Sequence, residues 1–374
     1  MKRGSRKNRL LDLYLGVPVL TALTAAHRRR RYPESIERVG IMVNPALGDT
    51  LLSSGPVRDL RQAFPSQRLI FFCVPSNRIA AELLPGVDEI IVVRFTRPHE
   101  VVAQLRAARL DVLFDFTSWQ RITALCTYLS GARYTVGFRA QGQHRHRGYD
   151  CVAEHRRDRH EIDNLRTLAR AAGVSTGLAP DLVLPVKPEF QMNTNAEEVV
   201  VFHAWPSGAQ SWLREWPTQC WVELAQLLAA PGRAFVLTAS KEDRPRALEL
   251  CAAMQAMDLP TEVFTGKDGL VSVAYLLRQA RLLVSVNTGI MHLGAILGTP
   301  TVVINGPTAE HRWGPVGTTV ANVNAADGSG GFLHFGFEFD GHPTDTMERI
   351  SVREVLAAAK QLMGELQEPA GERA

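Results

Sequence analysis

The stretch LLVSVNTGIMHLGAILGTPTVVINGPT, residues 282–308, gives the clearest indication of the fold. It begins with a largely apolar run, passes through Asn287, Thr288 and Gly289, continues with helical spacing, and ends in the apolar run TVVI. Short apolar runs on either side of a helix are typical of a β–α–β unit in a parallel sheet. The junction at Asn287 therefore lies where a buried strand ends and a helix begins.

This junction has the chemistry of a diphosphate-binding site. The first turn of a helix presents free N–H groups and the positive end of the helix dipole, and ligands of open α/β sheets bind at the carboxyl ends of strands. We therefore predict that Asn287, Thr288 and Gly289 bind a diphosphate-containing donor. His292, one turn into the helix, is predicted to donate to a phosphate or a sugar hydroxyl, with a core histidine as the alternative.

The same alternation of strand and helix extends over most of the chain. Further strands are predicted at RVGIMVN (38–44), RLIFFCV (68–74), EIIVV (89–93), DVLFDF (111–116), EVVVFHA (198–204), RAFVLTA (233–239) and TEVFTG (261–266). The helical stretches between them predict parallel sheets that are covered on both faces, and the Pro-rich stretch 179–190 separates two such series. The predicted fold class is α/β, with two Rossmann-like, doubly wound parallel-sheet domains.

The domain boundaries follow from these patterns. We predict a basic N-terminal arm (1–37), an acceptor domain (38–185), a linker (186–195), a donor domain (196–348), a C-terminal helix (349–367) and a tail (368–374).

The N-terminal arm carries most of the positive charge. The first 39 residues hold ten Lys or Arg against three Asp or Glu, whereas the whole chain has a net charge of +4 and gives no reason to expect a nucleic-acid partner. The apolar run from Leu13 to Ala26 is shorter than the roughly 20 residues that span a bilayer. We predict an interfacial helix in peripheral contact with an inner-membrane surface. A solvated arm and a signal anchor are the alternatives.

Two further polar segments follow predicted strands of the donor domain. The segment PSGAQSWLREWP offers Ser207 and Arg214, and a guanidinium binds phosphate in a bidentate fork. Glu242 follows the strand RAFVLTA, where a carboxylate can accept from a ribose hydroxyl. We predict that all three contact the donor, with solvated surface residues as the alternative.

The acceptor domain offers a carboxylate at the end of its first strand. In the turn NPALGDTLLS, Gly48 precedes Asp49, and a carboxylate there can take a proton from an acceptor hydroxyl. A helix-capping role for Asp49 is the alternative. Farther along, Arg145 and Arg147 belong to a predicted basic loop, QHRHRGYD, that contacts an anionic acceptor.

Metal and cofactor signatures are missing from the sequence. The chain has no P-loop, no G-x-G-x-x-G turn and no Asp-x-Asp pair, and the histidines near residue 146 match no zinc spacing. No metal and no cofactor are therefore predicted. The five cysteines are odd in number and form no C-x-x-C pair, which favours free thiols and a cytoplasmic protein. Together with the N-terminal arm, this predicts a protein that is cytoplasmic or peripheral on the cytoplasmic face of a membrane.

These segments together resemble glycosyltransferase family 9, the lipopolysaccharide heptosyltransferase group, over roughly residues 38 to 360. The matching pieces are GDTLLSSGPVRDLRQAFP (48–65), GARYTVGFRA (131–140), HEIDNLRTLARAAGV (160–174), REWP-x-x-x-W-x-x-L (214–224) and NTGIMHLGAILGTPTVVINGPT (287–308).

The resemblance implies a GT-B fold, in which the two domains face a central cleft, and an inverting, metal-independent glycosyltransferase of cell-envelope biosynthesis. It implies that Asp49 is the catalytic base, that Arg214 replaces a phosphate-binding Lys, and that Thr288, Gly289 and His292 line the donor diphosphate. Glu242 is implied to approach the nucleoside. The expected partners are a nucleotide-sugar donor and a lipopolysaccharide-type acceptor.

One departure affects the identity of the donor. The family commonly has Asp where this chain has Asn287, so ADP-heptose is the leading expectation among ADP-, GDP- and UDP-sugars. Two other functions stay open at this point: a sugar-nucleotide epimerase of the same fold, and a non-catalytic carbohydrate-binding or assembly protein.

Overall fold

The chain folds into two compact units, Met1–Val183 and Leu184–Ala374. The structure is a computed structural model that describes residues 10, 12–44, 46–187, 196–208, 210–264, 269–336 and 338–365. Each unit contains its own parallel sheet with helices between the strands. The predicted fold class is therefore confirmed, whereas the domain boundaries and the central cleft stay predictions.

The first unit is built on a parallel sheet. Its strands are β1 (Arg38–Met42), β2 (Arg68–Cys73), β3 (Glu89–Val92), β4 (Val112–Asp115), β5 (Tyr134–Arg139) and β6 (Cys151–Glu154). Its helices are α1 (Gly16–Thr24), α2 (Leu47–Leu52), α3 (Ser54–Ala63), α4 (Arg78–Ala81), α5 (Pro98–Ala107), α6 (Arg121–Leu129) and α7 (Glu161–Ala171), with a 3-10 turn at Arg145–Gly148. In the described part of the chain the sheet has six strands in the order β3-β2-β1-β4-β5-β6.

The second unit repeats this plan. Its strands are β7 (Glu198–His203), β8 (Arg233–Thr238), β9 (Thr261–Phe264), β10 (Leu282–Val286), β11 (Thr301–Ile304) and β12 (Val320–Val323). Its helices are α8 (Thr218–Leu228), α9 (Arg244–Gln255), α10 (Leu270–Gln279), α11 (Gly289–Ile296), α12 (Glu310–Trp313) and α13 (Val352–Met363), with a 3-10 turn at Ser211–Arg214. The described strands follow the order β12-β11-β10-β7-β8-β9.

Both strand orders reverse direction at one point. The chain builds outward from β1 to β3 and then crosses to β4, on the other side of β1; it does the same from β7 to β10. The carboxyl ends of the strands beside such a reversal are where doubly wound sheets bind ligands. The reversal points therefore lie between β1 and β4 in the first unit and between β7 and β10 in the second.

The strands form because their apolar runs are buried on both faces of the sheet. All six residues of β8 and all five residues of β10 are buried, as expected for parallel strands covered by helices. In the second unit α13 packs on the same core, and Val355, Ala359 and Met363 are buried there. The C-terminal helix is thus part of the second unit's core.

Between β1 and β2 the chain forms two consecutive helices, α2 and α3, with Ser53 between them. Most of the predicted linker, residues 188–195, lies outside the described residues.

Candidate active site

The loops that follow the central strands of the second unit share one edge of the sheet. His203, the last residue of β7, pairs with Ser285 of β10, and Val286 pairs with Ile304 of β11. These registers align the carboxyl ends of the three strands. The predicted donor residues after β7 and β10 consequently lie on the two sides of the reversal point.

Helix α11 begins immediately after β10 with a side-chain cap. Thr288 is the N-cap residue, has extended backbone geometry, and accepts the Ile290 N–H with its hydroxyl at 3.3 Å. Gly289 follows as the first helical residue and is half-buried. His292 is only 3% exposed, so its ring faces protein atoms. This burial agrees with the core-histidine alternative, and a contact of His292 with the bound sugar donor stays a prediction.

Asn287 belongs to a chain of amide side chains that crosses three strands. Its Nδ2 donates to Oδ1 of Asn305 at 2.8 Å, and Nδ2 of Asn305 donates to Oδ1 of Asn322 at 3.1 Å. Asn287 also donates to the main-chain oxygen of Trp313 at 3.3 Å. Asn287 therefore acts as a donor to two acceptors. A carboxylate at this position has no proton to offer either of them.

Arg214 lies in the 3-10 turn after β7 and reaches back over the preceding loop. Its Nη2 donates to the main-chain oxygen of the exposed Ser207 at 2.5 Å. Gly208 has a positive φ of 109°, and a Cβ there would lie 3.5 Å from Arg214 Nη2. The loop thus keeps its backbone close to the half-buried guanidinium of Arg214, and the phosphate-binding role of Arg214 stays a prediction.

An apolar cluster joins this turn to the loop after β12. Leu213, Leu333 and Phe339 are buried together, with Phe332 packed against them. The Trp313 Nε1 donates to the His334 main-chain oxygen at 2.7 Å. The loops after β7, β11 and β12 are therefore connected to one another. The sequence analysis missed this cluster because its members lie in loops, without the periodicity of a helix or strand.

The remaining predicted donor residue, Glu242, lies in the exposed turn between β8 and α9. Nearby, His203 is buried at the end of β7, and its Nδ1 lies 2.9 Å from the Thr238 hydroxyl. Burial lowers the pKa of His203 to about 4, although Thr238 and Asp243 act in the opposite direction. His203 is therefore a neutral core residue next to the predicted site.

In the first unit, Asp49 is the third residue of α2, directly after β1. Its Oδ2 accepts the Ala46 N–H at 3.2 Å, so the capping role that the sequence left open is present. Capping uses a carboxylate that the start of a helix stabilises, and a capping carboxylate is still able to accept a proton. Gly48, the preceding helical residue, is half-buried. The base and acceptor roles of these two residues stay predictions.

A buried asparagine holds the turn that carries Asp49. Asn77 is fully buried in the loop after β2, and its Nδ2 donates to the Thr50 hydroxyl at 2.7 Å. Its Oδ1 accepts the Val74 N–H at 2.8 Å, and the Thr50 hydroxyl donates to the Ala46 main-chain oxygen. Asn77 thus fixes the first turn of α2. Sequence analysis missed this residue, because an isolated Asn in a loop is more often a turn residue.

The structure corrects the expectation that residues 143–150 form an exposed basic loop. Arg145 has no exposed surface, and its Nη2 lies 2.7 Å from Oδ2 of Asp115 at the end of β4. Tyr149 donates to the same oxygen at 2.6 Å, and its pKa is raised well above the usual value, first of all by burial. A Cβ at Gly137 would overlap the Tyr149 ring. An isolated charge is costly to bury, so Arg145 pairs internally and does not present itself to an acceptor.

Arg147, in contrast, is exposed, as is His144, whose φ of 58° is left-handed. His146 is half-buried, and burial followed by Arg139 and Arg147 lowers its pKa. Of the two arginines predicted to contact an acceptor, Arg147 is exposed and Arg145 is buried, and the acceptor role of Arg147 stays a prediction.

Side-chain clusters of the kind that hold metals are missing from the described parts of both units, where no three His, Cys, Asp or Glu side chains converge. Metal independence remains a prediction. Among the same residues, no helix has the length and apolarity needed to cross a membrane.

The sequence model of glycosyltransferase family 9 (heptosyltransferase) matches residues 99–330. This range covers more than half of the chain. The protein belongs to glycosyltransferase family 9. It is therefore a glycosyltransferase, and the predicted family and enzyme class are confirmed.

Known proteins agree with the family. Lipopolysaccharide heptosyltransferase 1 of Escherichia coli K12 is 26% identical over 291 residues, which are 72% of this chain and 88% of that protein. The solved ADP-heptose lipopolysaccharide heptosyltransferase II of E. coli has a TM-score of 0.68 at 19% identity and covers 88% of this chain and 99% of its own. E. coli heptosyltransferase WaaC with ADP has a TM-score of 0.64 at 22% identity, covering 87% and 99%. At these identities the solved structures show the GT-B fold alone.

Proposed function

We propose that this family 9 enzyme transfers heptose from ADP-heptose to a lipopolysaccharide core or a related cell-surface glycan, with inversion at the anomeric carbon and without a metal. The names of the E. coli relatives support ADP-heptose as donor and lipopolysaccharide as acceptor. Such an acceptor is lipid-linked, which supports a peripheral enzyme on the cytoplasmic face of the inner membrane.

The main support for the proposal is the edge of the second sheet at which β7 and β10 end, called the donor edge below. The capped N-terminus of α11 lies on one side of the reversal point, and the loop of Arg214 follows the strand on the other side. Both offer positive charge or N–H donors to a diphosphate. In a metal-free transfer these groups must stabilise the leaving group, because no divalent ion does so.

The proposed reaction is a single displacement. Asp49 takes the proton of an acceptor hydroxyl, whose oxygen forms a bond to the anomeric carbon as the bond from that carbon to the diphosphate oxygen breaks. The electron pair of that bond leaves with ADP, next to Arg214 and the start of α11. Thr288, Gly289 and His292 are proposed to contact the diphosphate, and Ser207, Asn287 and Glu242 to orient the sugar and the nucleoside. Arg147 and Gly48 are proposed to contact the acceptor.

The release of nucleoside diphosphate from a panel of ADP-, GDP- and UDP-sugars tests this proposal, with and without truncated lipopolysaccharide and with EDTA. We expect release only when the acceptor is present, most rapidly from ADP-heptose, and at the same rate in EDTA. The NMR coupling of the product's anomeric proton reports the inversion. Release that does not need an acceptor, or that stops in EDTA, contradicts the proposal.

A further inference from the structure

The helix that precedes the first sheet exposes its apolar side. Along α1 and its flanks, six of the exposed positions recur at helical spacing, i, i+3, i+4, i+7, i+8 and i+11. They are Leu15, Pro18, Val19, Ala22, Leu23 and Ala26. Leu15 is 61% exposed, Val19 42% and Leu23 46%. The apolar stripe of a surface helix ordinarily faces the protein core, whereas the stripe of α1 faces away from it.

The inward side of the same segment is fixed to the first unit by specific contacts. Leu20 is buried with Ala124 and Tyr149. The Asp12 carboxylate lies 2.8 Å from the guanidinium of Arg121, which is 3% exposed, and also accepts the Arg121 N–H at 3.0 Å. The charged Asp12 side chain thus points inward, as does Leu20, whereas Leu15 and Leu23 point outward. The exposed stripe follows from this attachment.

Contacts after the helix hold its C-terminal flank as well. Arg30 forms a 2.7 Å ion pair with the buried Asp150. Burial is the largest single influence on Asp150 and raises its pKa, but the contacts with Arg30 and Thr135 together lower it. The helix is therefore connected to the first unit at both ends.

Positive charge flanks the apolar stripe on both sides. Arg28, Arg29 and Arg31 are exposed directly after it. Before it, the sequence MKRGSRKNR carries five basic residues and no acidic one, although these residues lie outside the described part. A helix of nine residues is only about 14 Å long, less than half of the roughly 30 Å hydrocarbon core of a bilayer.

We propose that the outward face of α1, Leu15 to Ala26, is an interfacial anchor that lies in the surface of an anionic bilayer. Apolar side chains enter the boundary between headgroups and acyl chains, and flanking arginines contact anionic headgroups. A second copy of the chain fits the surface less well, because pairing of two such faces brings two basic clusters together. The proposal extends the proposed function. Of its tests, only the activity measurement rests on that function; the vesicle measurements do not.

Vesicle co-sedimentation of the full chain tests the anchor. The probes are phosphatidylcholine vesicles with and without phosphatidylglycerol. We expect the wild type to bind the anionic vesicles and to be released by salt. In a double variant, Val19→Asp with Leu23→Asp, the fraction bound falls at least about tenfold, because two apolar contacts become charged. The matched control, Leu227→Asp with Leu248→Asp, changes two exposed leucines of the second unit and binds like the wild type.

Charge is tested separately. Replacing Arg28, Arg29 and Arg31 by Ser lowers affinity for anionic vesicles by about fivefold per arginine. Undiminished binding by the Val19/Leu23 variant, equal binding to neutral vesicles, or no binding by the wild type overturns the proposal. A wild-type dimer that becomes monomeric in the Val19/Leu23 variant, without vesicle binding, assigns the face to self-association instead.

Activity separates this proposal from the proposed function. The Val19/Leu23 variant is expected to glycosylate a soluble, acyl-free acceptor at the wild-type rate, but a vesicle-embedded acceptor more slowly. If no donor is turned over while vesicle binding persists, the proposed function fails and the anchor stands. If both acceptors are used equally by the variant, the anchor fails and the proposed function stands.

Discussion

Asp49 combines a structural role with the proposed role of catalytic base, and one substitution separates the two. In Asp49→Asn the amide oxygen still accepts the Ala46 N–H, so the first turn of α2 is preserved. The amide does not take a proton from an acceptor hydroxyl. We expect kcat to fall by roughly 100- to 10,000-fold, the contribution typical of general acid–base catalysis. Steady-state kinetics measure this loss, and calorimetry with ADP is expected to give unchanged binding.

A matched control for this change is Asp158→Asn. Asp158 is exposed in the same unit and pairs with Arg156 on the surface. This variant should turn over like the wild type. Near-normal turnover in Asp49→Asn would show that another group takes the proton and that Asp49 only caps the helix.

The second prediction concerns the two arginines of the 3-10 turn at 145–148. Removing one partner of a buried ion pair leaves an uncompensated charge and costs about 3–5 kcal/mol. Arg145→Ala is therefore expected to lower the free energy of unfolding by about that amount, whereas Arg147→Ala leaves it nearly unchanged. Chemical denaturation monitored by circular dichroism measures both. Arg147→Ala should instead raise KM for the acceptor.

An equal and small loss of stability in both variants would contradict this assignment. The sequence did not separate these residues, because QHRHRGYD shows only that they are basic and close together. What separates them is long-range: Asp115 and Thr117 lie about 30 residues earlier and meet Arg145 only in the folded sheet. The location of Asp49 at the start of a helix was predictable, because it depends on a local pattern, a strand followed at once by a helix.

The third prediction concerns the chain of amide side chains that links β10, β11 and β12 at the donor edge. Asn287→Asp replaces the amide that donates to Asn305 and to Trp313, and leaves a carboxylate facing the Trp313 main-chain oxygen. Leaving buried polar groups unsatisfied costs about 1–3 kcal/mol, and more for a charged group. We expect at least that loss in the free energy of unfolding at pH 7.5, together with a raised KM for donor.

Asn322→Asp is the matched control for this change. Asn322 accepts from Asn305 through its Oδ1, and a carboxylate keeps that acceptor. Denaturation and donor kinetics should therefore stay close to wild type. If the two Asp variants behave alike, the amide chain has no directional role, and the family's Asp is compatible with this edge.

The wholly buried strands were predictable, whereas β5, β6 and β12, which are only partly buried, were not predicted. Interior strands such as β8 and β10 are wholly buried, so their apolar runs stand out in the sequence. The strands β6 and β12 lie at the edges of their sheets and are only partly buried. Their sequences, CVAE and VANV, are short and mixed. A buried strand shows an apolar run in the sequence, whereas the pairing of a partly buried strand with its neighbour leaves no such pattern.

The order of the strands repeats from one unit to the other. Two series of strands and helices separated by a Pro-rich stretch were visible in the sequence, but the order of the strands within each sheet was not. The lengths of the loops were visible too, but their mutual contacts were not. The cluster of Leu213, Leu333 and Phe339 joins segments more than 100 residues apart. Local periodicity therefore predicted both sheets. The contacts between the loops at the donor edge were found only in the structure.

Because each unit has its own core, the second unit is expected to fold and bind nucleotide by itself. Its core is continuous from β7 to α13 and is built from residues after 196. We predict that a fragment of residues 196–374 unfolds cooperatively and binds ADP within about tenfold of the full chain's affinity, because every residue proposed to contact the donor follows residue 196. Thermal unfolding and calorimetry measure the two properties.

A second fragment, residues 196–350, lacks α13 and serves as the comparison. It exposes the core surface that Val355, Ala359 and Met363 cover, and burial of each large aliphatic side chain is worth about 1.5–3 kcal/mol. This fragment should lose cooperative unfolding. Arg214→Ala within the longer fragment should weaken ADP binding while its unfolding temperature is kept, because Arg214 lies in a loop and outside the core. A well-folded 196–374 fragment that does not bind ADP would place essential donor contacts before residue 196, and the donor edge described above would then be incomplete.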